Sequence, residues 1–358
     1  MRPQARASRH SLEISPATGC AGKVPGQAEK HALAWSGSLK INERVSDPLL
    51  WHNRTMTRSK SHPAFLLLAA LLFTACTFAQ TPAALTTDPT PDVANPASMV
   101  SLAGVPSHGE QLLGVFYLAA GAGPHPTLVL MHGFPGYEQN LDLAQAIRRA
   151  GWNVLAVHYR GSWGVKGVFS YAHAIEDADA EVAFVKDPAN VAKYHIDPSR
   201  IVLLGHSMGG YMVASAAAHD PKVAGVVMIS AWNIGASFPP DSAGAAEIAK
   251  AKQSGAESFA AENDVVPLAG CTAESLIDEA YRHRKEWNFD SFAPALASRP
   301  VLVLTSNDGL GPADHAFVAA LQKAGSTRAT EIHFETDHAY SGQRIALTTA
   351  ILNWLAQF

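Results

Sequence analysis

Residues 200–214 read Arg-Ile-Val-Leu-Leu-Gly-His-Ser-Met-Gly-Gly-Tyr-Met-Val-Ala. Four apolar residues run into a Gly-x-Ser-x-Gly turn, and a helix-forming stretch follows it at once. That context, strand then tight turn then helix, carries more weight than the string, which recurs by chance. A serine on so sharp a turn needs glycine two residues to either side, because side chains there would strike the adjoining strand and helix. The turn lifts the Ser207 hydroxyl to a helix N-terminus, where backbone N–H groups and the helix dipole favour a developing anion. Ser207 is therefore the candidate nucleophile, and the Met208 N–H is one candidate donor to an oxyanion.

Outward from this turn, short apolar runs at 112–118, 127–131, 153–158, 201–204, 223–229, 301–305 and 330–334 alternate with helical stretches. The helical stretches are 138–150, 176–185, 208–219, 313–324 and 344–357. Several of the apolar runs are unbroken, as strands covered on both faces are. The alternation predicts an α/β fold, a mostly parallel open sheet with helices on both faces. Residues 234–292 interrupt it. They are rich in Ala, Glu and Lys, helical in pattern and too long for a plain connection. We read them as a small inserted helical cap, with the core in 110–233 and 293–358.

The remaining chemistry should sit in loops past the C-terminal ends of strands, where open α/β sheets bind ligands. After the strand at 127–131 comes His132-Gly133-Phe134-Pro135-Gly136. Its glycines permit close approach, Pro135 has no N–H, and the Phe134 N–H is the natural second oxyanion donor. A base and an orienting acid must follow the serine in the chain order Ser, Asp, His. Asp308 stands at the end of the strand at 301–305, and Asp314, already inside the next helix, is the weaker candidate. His338 lies in the loop past the strand at 330–334, whereas His333 lies within that strand and reads as a packed or hydrogen-bonded core residue.

With these motifs in hand, the chain resembles an α/β-hydrolase over about residues 110–358, most closely the branch of dienelactone hydrolases and prolyl-oligopeptidase-like esterases. The segment Tyr159-Arg160-Gly161-Ser162-Trp163-Gly164 is similar to one found in that branch. The resemblance implies that Tyr159, Arg160 and Trp163 shape the substrate cleft, and that Ser207, Asp308 and His338 form a catalytic triad. It implies hydrolysis of an ester or related acyl bond in a small molecule, with a serine aminopeptidase or oligopeptidase-like amide hydrolase as the alternative. A non-catalytic binding protein on the same scaffold would lack a triad member. The His-Gly-Phe-Pro segment is also similar to epoxide hydrolases and haloalkane dehalogenases, whose nucleophile is Asp where this chain has Ser207. Trp232, Phe238, Phe259, Tyr281 and Trp287 could line an acyl pocket or pin the cap to the core.

Composition narrows the partners. The chain of 358 residues carries 27 Lys and Arg against 31 Asp and Glu, a net charge of −4 with no basic footprint for nucleic acid. No G-x-G-x-x-G follows a strand, and no H-E-x-x-H or C-x-x-C spacing occurs, so neither a cofactor nor a metal is expected. Residues 1–55 show no periodicity and read as an upstream extension. Met56 begins a second start: Arg58 and Lys60, then an apolar run over 65–75, then small residues before Gln80. That run is too short to span a bilayer and suits a signal peptide over 56–79, predicting export to the periplasm or beyond. Cleavage after Ala79 is the first reading; lipid anchoring at Cys76, within Phe73-Thr74-Ala75-Cys76, is the second. Residues 80–109 read as a flexible lead-in. Residues 80–358 hold 17 basic and 27 acidic residues, a net −10. Their lone cysteine, Cys271, reads as a small buried hydrophobe.

Overall fold

A computed structural model describes residues 81–240 and 242–358. The upstream extension, the signal-like segment and Cys76 lie outside the described residues. Among the described residues, eight strands form one sheet: β1 (Ser98–Ser107), β2 (Glu110–Leu118), β3 (His125–Met131), β4 (Asn153–Val157), β5 (Ile196–His206), β6 (Gly225–Ile229), β7 (Val301–Thr305) and β8 (Ala329–His333). Their spatial order is β1-β2-β4-β3-β5-β6-β7-β8. The pairs β1–β2 and β2–β4 are antiparallel, and every pair from β4 to β8 is parallel.

The expected lead-in at 80–109 is corrected here, since β1 lies within it and joins the sheet. Leu102 and Val105 of β1 are buried. The pairing with β2 shifts register between those two residues, so the inward positions are three apart rather than two. That irregularity hides the period-2 pattern by which a strand is recognised.

The helices are α1 (Ala83–Thr86), α2 (Leu141–Arg149), α3 (Tyr171–Lys186), α4 (Pro188–Lys193), α5 (Met208–His219), α6 (Ala245–Ala261), α7 (Ala273–Arg282), α8 (Ala293–Leu296), α9 (Gly311–Lys323) and α10 (Arg344–Leu355). Alternate residues of the central strands feed two cores. Val129, Met131, Leu203, Met228 and Val303 pack with α3, α5 and α9 through Val182, Met212 and Phe317. Leu128, Leu130, Leu204, Ile229 and Leu304 pack on the other face with α2 and α10 through Ile147, Leu347 and Ile351. Strands buried on both faces have no polar face to show, which is why their sequences are unbroken apolar runs.

Between β6 and β7 lie α6, α7 and short 3-10 turns at Ile234–Ser237 and Phe289–Ser291. A capping box between Thr272 and Ser275 starts α7, and Leu276, Ile277 and Ala280 form its buried stripe. The long helix α6 buries only Ala256. This insert is tied to the rest of the chain through backbone bonds: the Trp163 N–H donates to Pro267 O, Phe169 N–H to Ala269 O, and Ala269 N–H to Gly161 O, at 2.7 to 2.9 Å.

Candidate active site

Ser207 sits between β5 and α5 with φ 57° and ψ −121°, a conformation unusual for a residue with a side chain. Bonds on both sides hold it: its N–H donates to Ile229 O, and its carbonyl accepts from Gly210 N–H and Trp232 N–H, all at 2.9 Å. A Cβ on Gly205 would lie 2.0 Å from Gly209 O, and one on Gly209 would lie 2.1 Å from Met131 O. Those contacts are the packing reason for the two glycines of the motif. Ser207 remains 8% exposed, enough to border a cavity of about 330 Å³.

Asp308 follows β7 with its side chain almost wholly buried. Its Oδ2 accepts from His338 Nδ1–H at 2.7 Å, and its Oδ1 accepts from Leu310 N–H at 2.9 Å. Burial alone would raise the Asp308 carboxyl. The hydrogen bonds from His338, the Leu310 N–H and Ser230 outweigh it and hold the group at about 2. Around it, Ser230 Oγ shares hydrogen bonds with Ser306 Oγ (2.9 Å) and the Tyr340 hydroxyl (3.1 Å). Because His338 Nδ1–H points at a carboxylate, its Nε2 is left as the basic nitrogen. The loop carrying His338 is anchored from behind, where His206 Nε2–H donates to His338 O at 2.9 Å. Burial, and then His338, push the His206 imidazole down to about 3, so it is neutral and a donor through that nitrogen. Asp314, the weaker candidate, accepts from Ala231 N–H at 3.1 Å and is wholly buried. Burial drives its carboxyl well above the ordinary range, which favours the protonated acid, and among the described residues no hydrogen bond joins it to His338.

The cavity is bordered by Ser207, His338, Gly133, Phe134, Trp232 and Phe259 among others. The N–H groups of Phe134 and Met208 meet no acceptor among the described residues. A Cβ on Gly133 would lie 2.9 Å from Ser207 Cβ, so the loop after β3 presses directly on the serine. This loop is braced from outside. His132 Nδ1–H donates to Gly133 O at 2.7 Å, and its Nε2 accepts from His158 Nδ1–H at 3.2 Å. Burial pushes the His132 imidazole down to about 3, which keeps that nitrogen an acceptor.

Of the four cleft residues expected from the sequence, only Trp232 borders the cavity. Tyr159 is turned into the core, where its hydroxyl donates to His132 O at 3.0 Å. Arg160 is held by Asp177 (2.6 Å) and Glu176 beneath the sheet edge, paired rather than presented. Trp163 lies outside the loop, donating from Nε1 to Pro135 O at 2.7 Å and stacking on His158. All three act one layer behind the cavity. Their segment is long-range in its contacts, and nothing local in the sequence reports which way its side chains turn. Phe259 borders the cavity, while Phe238 packs on Tyr281 and Trp287 stacks on His283, pinning the insert. His333 is exposed on the edge strand rather than packed in the core, bonded to Thr305 Oγ1 and Asn307 Oδ1. Cys271 is a free, half-buried thiol whose pKa burial raises.

Sequence reasoning missed His132, His158 and His206, the buried imidazoles that brace two of the site loops. The first stands in the quoted His-Gly-Phe-Pro stretch and the last is the x before Ser207, so their adjacency to the motifs was the available signal.

The pattern of the alpha/beta hydrolase family matches residues 128–346, more than half of the chain, and the chain belongs to that family. Among solved structures it is similar to an esterase from the archaeon Pyrobaculum calidifontis, with a TM-score of 0.54 and 18% identity over 74% of this chain and 87% of that one. It is also similar to Est1E from Butyrivibrio proteoclasticus, solved with ferulic acid bound (TM-score 0.52, 16% identity, 71% of this chain and 97% of that one). The hydrolase GrgF from Penicillium sp. sh18 is comparable, with a TM-score of 0.52 and 17% identity over 73% of this chain and 98% of that one. At such identities the likeness is one of fold. An uncharacterized 31.7 kDa protein of Escherichia coli, from the traX-finO intergenic region, is 35% identical over 108 residues. That match spans 29% of this chain and 36% of the relative's length.

Proposed function

We propose that this chain is an exported serine hydrolase that cleaves carboxylic esters through an acyl-enzyme intermediate on Ser207. The observation that carries the reading is the 2.7 Å bond from His338 Nδ1–H to Asp308, with His338 and Ser207 bordering one cavity. In this mechanism His338 Nε2 takes the Ser207 proton as Oγ attacks the acyl carbonyl, and Asp308 stabilises the imidazolium. The oxyanion forms against the Phe134 and Met208 N–H groups, both free of other acceptors. His338 returns its proton to the leaving alcohol, and water then repeats the sequence to release the acid. The esterase name of the Pyrobaculum protein supports an ester over an amide substrate. Export, by signal-peptide cleavage or lipid anchoring at Cys76, rests on the sequence pattern at 56–79.

A fluorophosphonate probe followed by peptide mapping tests the nucleophile. The expected adduct is at Ser207, and Ser207→Ala should lower kcat on a short-chain nitrophenyl ester by several orders of magnitude with an unchanged circular dichroism spectrum. Near-normal turnover in that variant removes Ser207 from the chemistry.

A further inference from the structure

The cavity beside Ser207 carries charge that ester hydrolysis does not use. Glu138, Glu262 and Asp264 border it, and among the described residues no lysine or arginine does. Glu138 is occupied, its Oε1 accepting from Asn140 N–H at 2.6 Å. Asp264 is not. Among the described residues its carboxylate meets no hydrogen-bond donor and no cation, although it is half-buried. Burial, then the neighbouring Glu262, push its carboxyl up to about 6, and nothing opposes them. Its position is nonetheless fixed, because the adjoining Asn263 O accepts from the Tyr137 hydroxyl at 3.0 Å, joining this segment to the loop that carries Phe134.

Aromatic rings border the same space. Phe259 packs on Phe134 at 4.8 Å and on Trp232 at 6.5 Å between ring centroids, and all three border the cavity. Behind them Tyr171 is wholly buried, its ring 5.5 Å from Trp232 and its hydroxyl without a partner among the described residues. An unpaired carboxylate beside π faces, with no counter-cation, attracts a substrate ammonium by Coulomb and cation–π terms together and repels an anion. Inorganic cations would favour a cage of oxygens instead, which these rings do not supply.

We propose that the substrate of this site carries an ammonium group, held by Asp264 and Glu262 against Trp232 and Phe259 while its acyl carbon lies at Ser207. Asp264 and Glu262 are then specificity-determining residues that never touch the reacting atoms. The proposal rests on the reading of this cavity as the acyl-substrate site.

Its test compares esters of one shape and different charge: butyrylcholine against the ester in which a tert-butyl group replaces trimethylammonium, and a matched pair with the charge on the acyl chain. In at least one pair the charged ester should have the higher kcat/KM by about tenfold, falling with ionic strength. Asp264→Asn should lower that ratio by about threefold or more, and adding Glu262→Gln should bring it near one. A ratio near one in both pairs for the unsubstituted protein, or a ratio untouched by the double substitution, overturns the proposal. Calorimetric binding of tetramethylammonium needs no turnover. It should be measurable in the unsubstituted chain and in Ser207→Ala and lost in the double variant. Its absence from the unsubstituted chain also overturns the proposal. If no ester is turned over and no fluorophosphonate adduct forms, the nucleophile reading fails by itself, and tetramethylammonium binding still decides the charge preference.

Discussion

Ser207 holds a positive φ that costs a residue with a side chain on the order of 1–3 kcal/mol, and three backbone hydrogen bonds of 2.9 Å keep it there. Two carboxyls six positions apart have opposite electrostatics. Asp308 is bonded by His338 and Leu310 and sits at about 2, while Asp314 is buried with one oxygen unpartnered and is protonated. Only the ionised one can steady an imidazolium. Asp308→Asn should therefore reduce kcat by about 10⁴, as expected where an acid sets the tautomer of the base. Asp314→Asn, which replaces a neutral acid with a neutral amide, should leave kcat within roughly tenfold of the unsubstituted value. Steady-state kinetics on one ester separates the two, and the reverse ranking would move the acid to Asp314. Both aspartates were visible in the sequence as residues near a strand end. Their different ionisation follows from partners in other loops.

At the scale of elements, the insert between β6 and β7 depends on a few long-range ties. The Glu279 carboxylate of α7 accepts from Tyr171 N–H (2.9 Å) and Ala172 N–H (3.1 Å), satisfying two free donors at the start of α3. Glu279→Ala should cost about 2–3 kcal/mol, since it breaks two charge-assisted bonds and leaves buried donors bare. Urea unfolding measures it, and a change under half a kcal/mol would show that the insert is held by its apolar stripe and the backbone bonds at 267–269 without help from Glu279. The same contact explains a boundary. The helix pattern is legible from 176, yet α3 begins at Tyr171, where Ser170 Oγ accepts from His173 N–H and a glutamate 108 residues away completes the cap. The insert's helical character could be read from composition; its attachment through residues 265–269 to the loop after β4 could not.

Over the whole molecule, buried titratable groups oppose one another. His132 and His206 are neutral when folded, with pKa values about 3, and accept protons near 6.5 when unfolded. They cost stability as pH falls below that value. Glu181 and Asp314 are protonated when folded because burial raises them, and ionise near their ordinary values when unfolded. Their contribution is fully present in acid and is lost as pH rises toward their folded values. From about pH 4.5 upward the carboxyls lose stability while the histidines regain it, until the histidine contribution is complete near 6.5. Glu181→Gln needs no proton, so the variant should lose less Tm than the unsubstituted protein as pH is raised from about 4.5. An equal pH dependence of Tm in the two proteins contradicts the assignment.

What the sequence determined by itself is the order of strands and helices in the core and the strand-end loops that carry Ser207, Asp308, His338 and Phe134. Those features are written in local spacing, unbroken apolar runs punctuated by glycine, and spacing survives without a partner. The tertiary structure alone decided that β1 joins the sheet, that Tyr159 and Arg160 face inward, that the Asp308 carboxyl is held low while the Asp314 carboxyl is driven up, and that Asp264 shares a cavity with Ser207. Each depends on a neighbour distant in the chain, and the direction of a side chain leaving a loop is set by what packs against it rather than by the residues on either side.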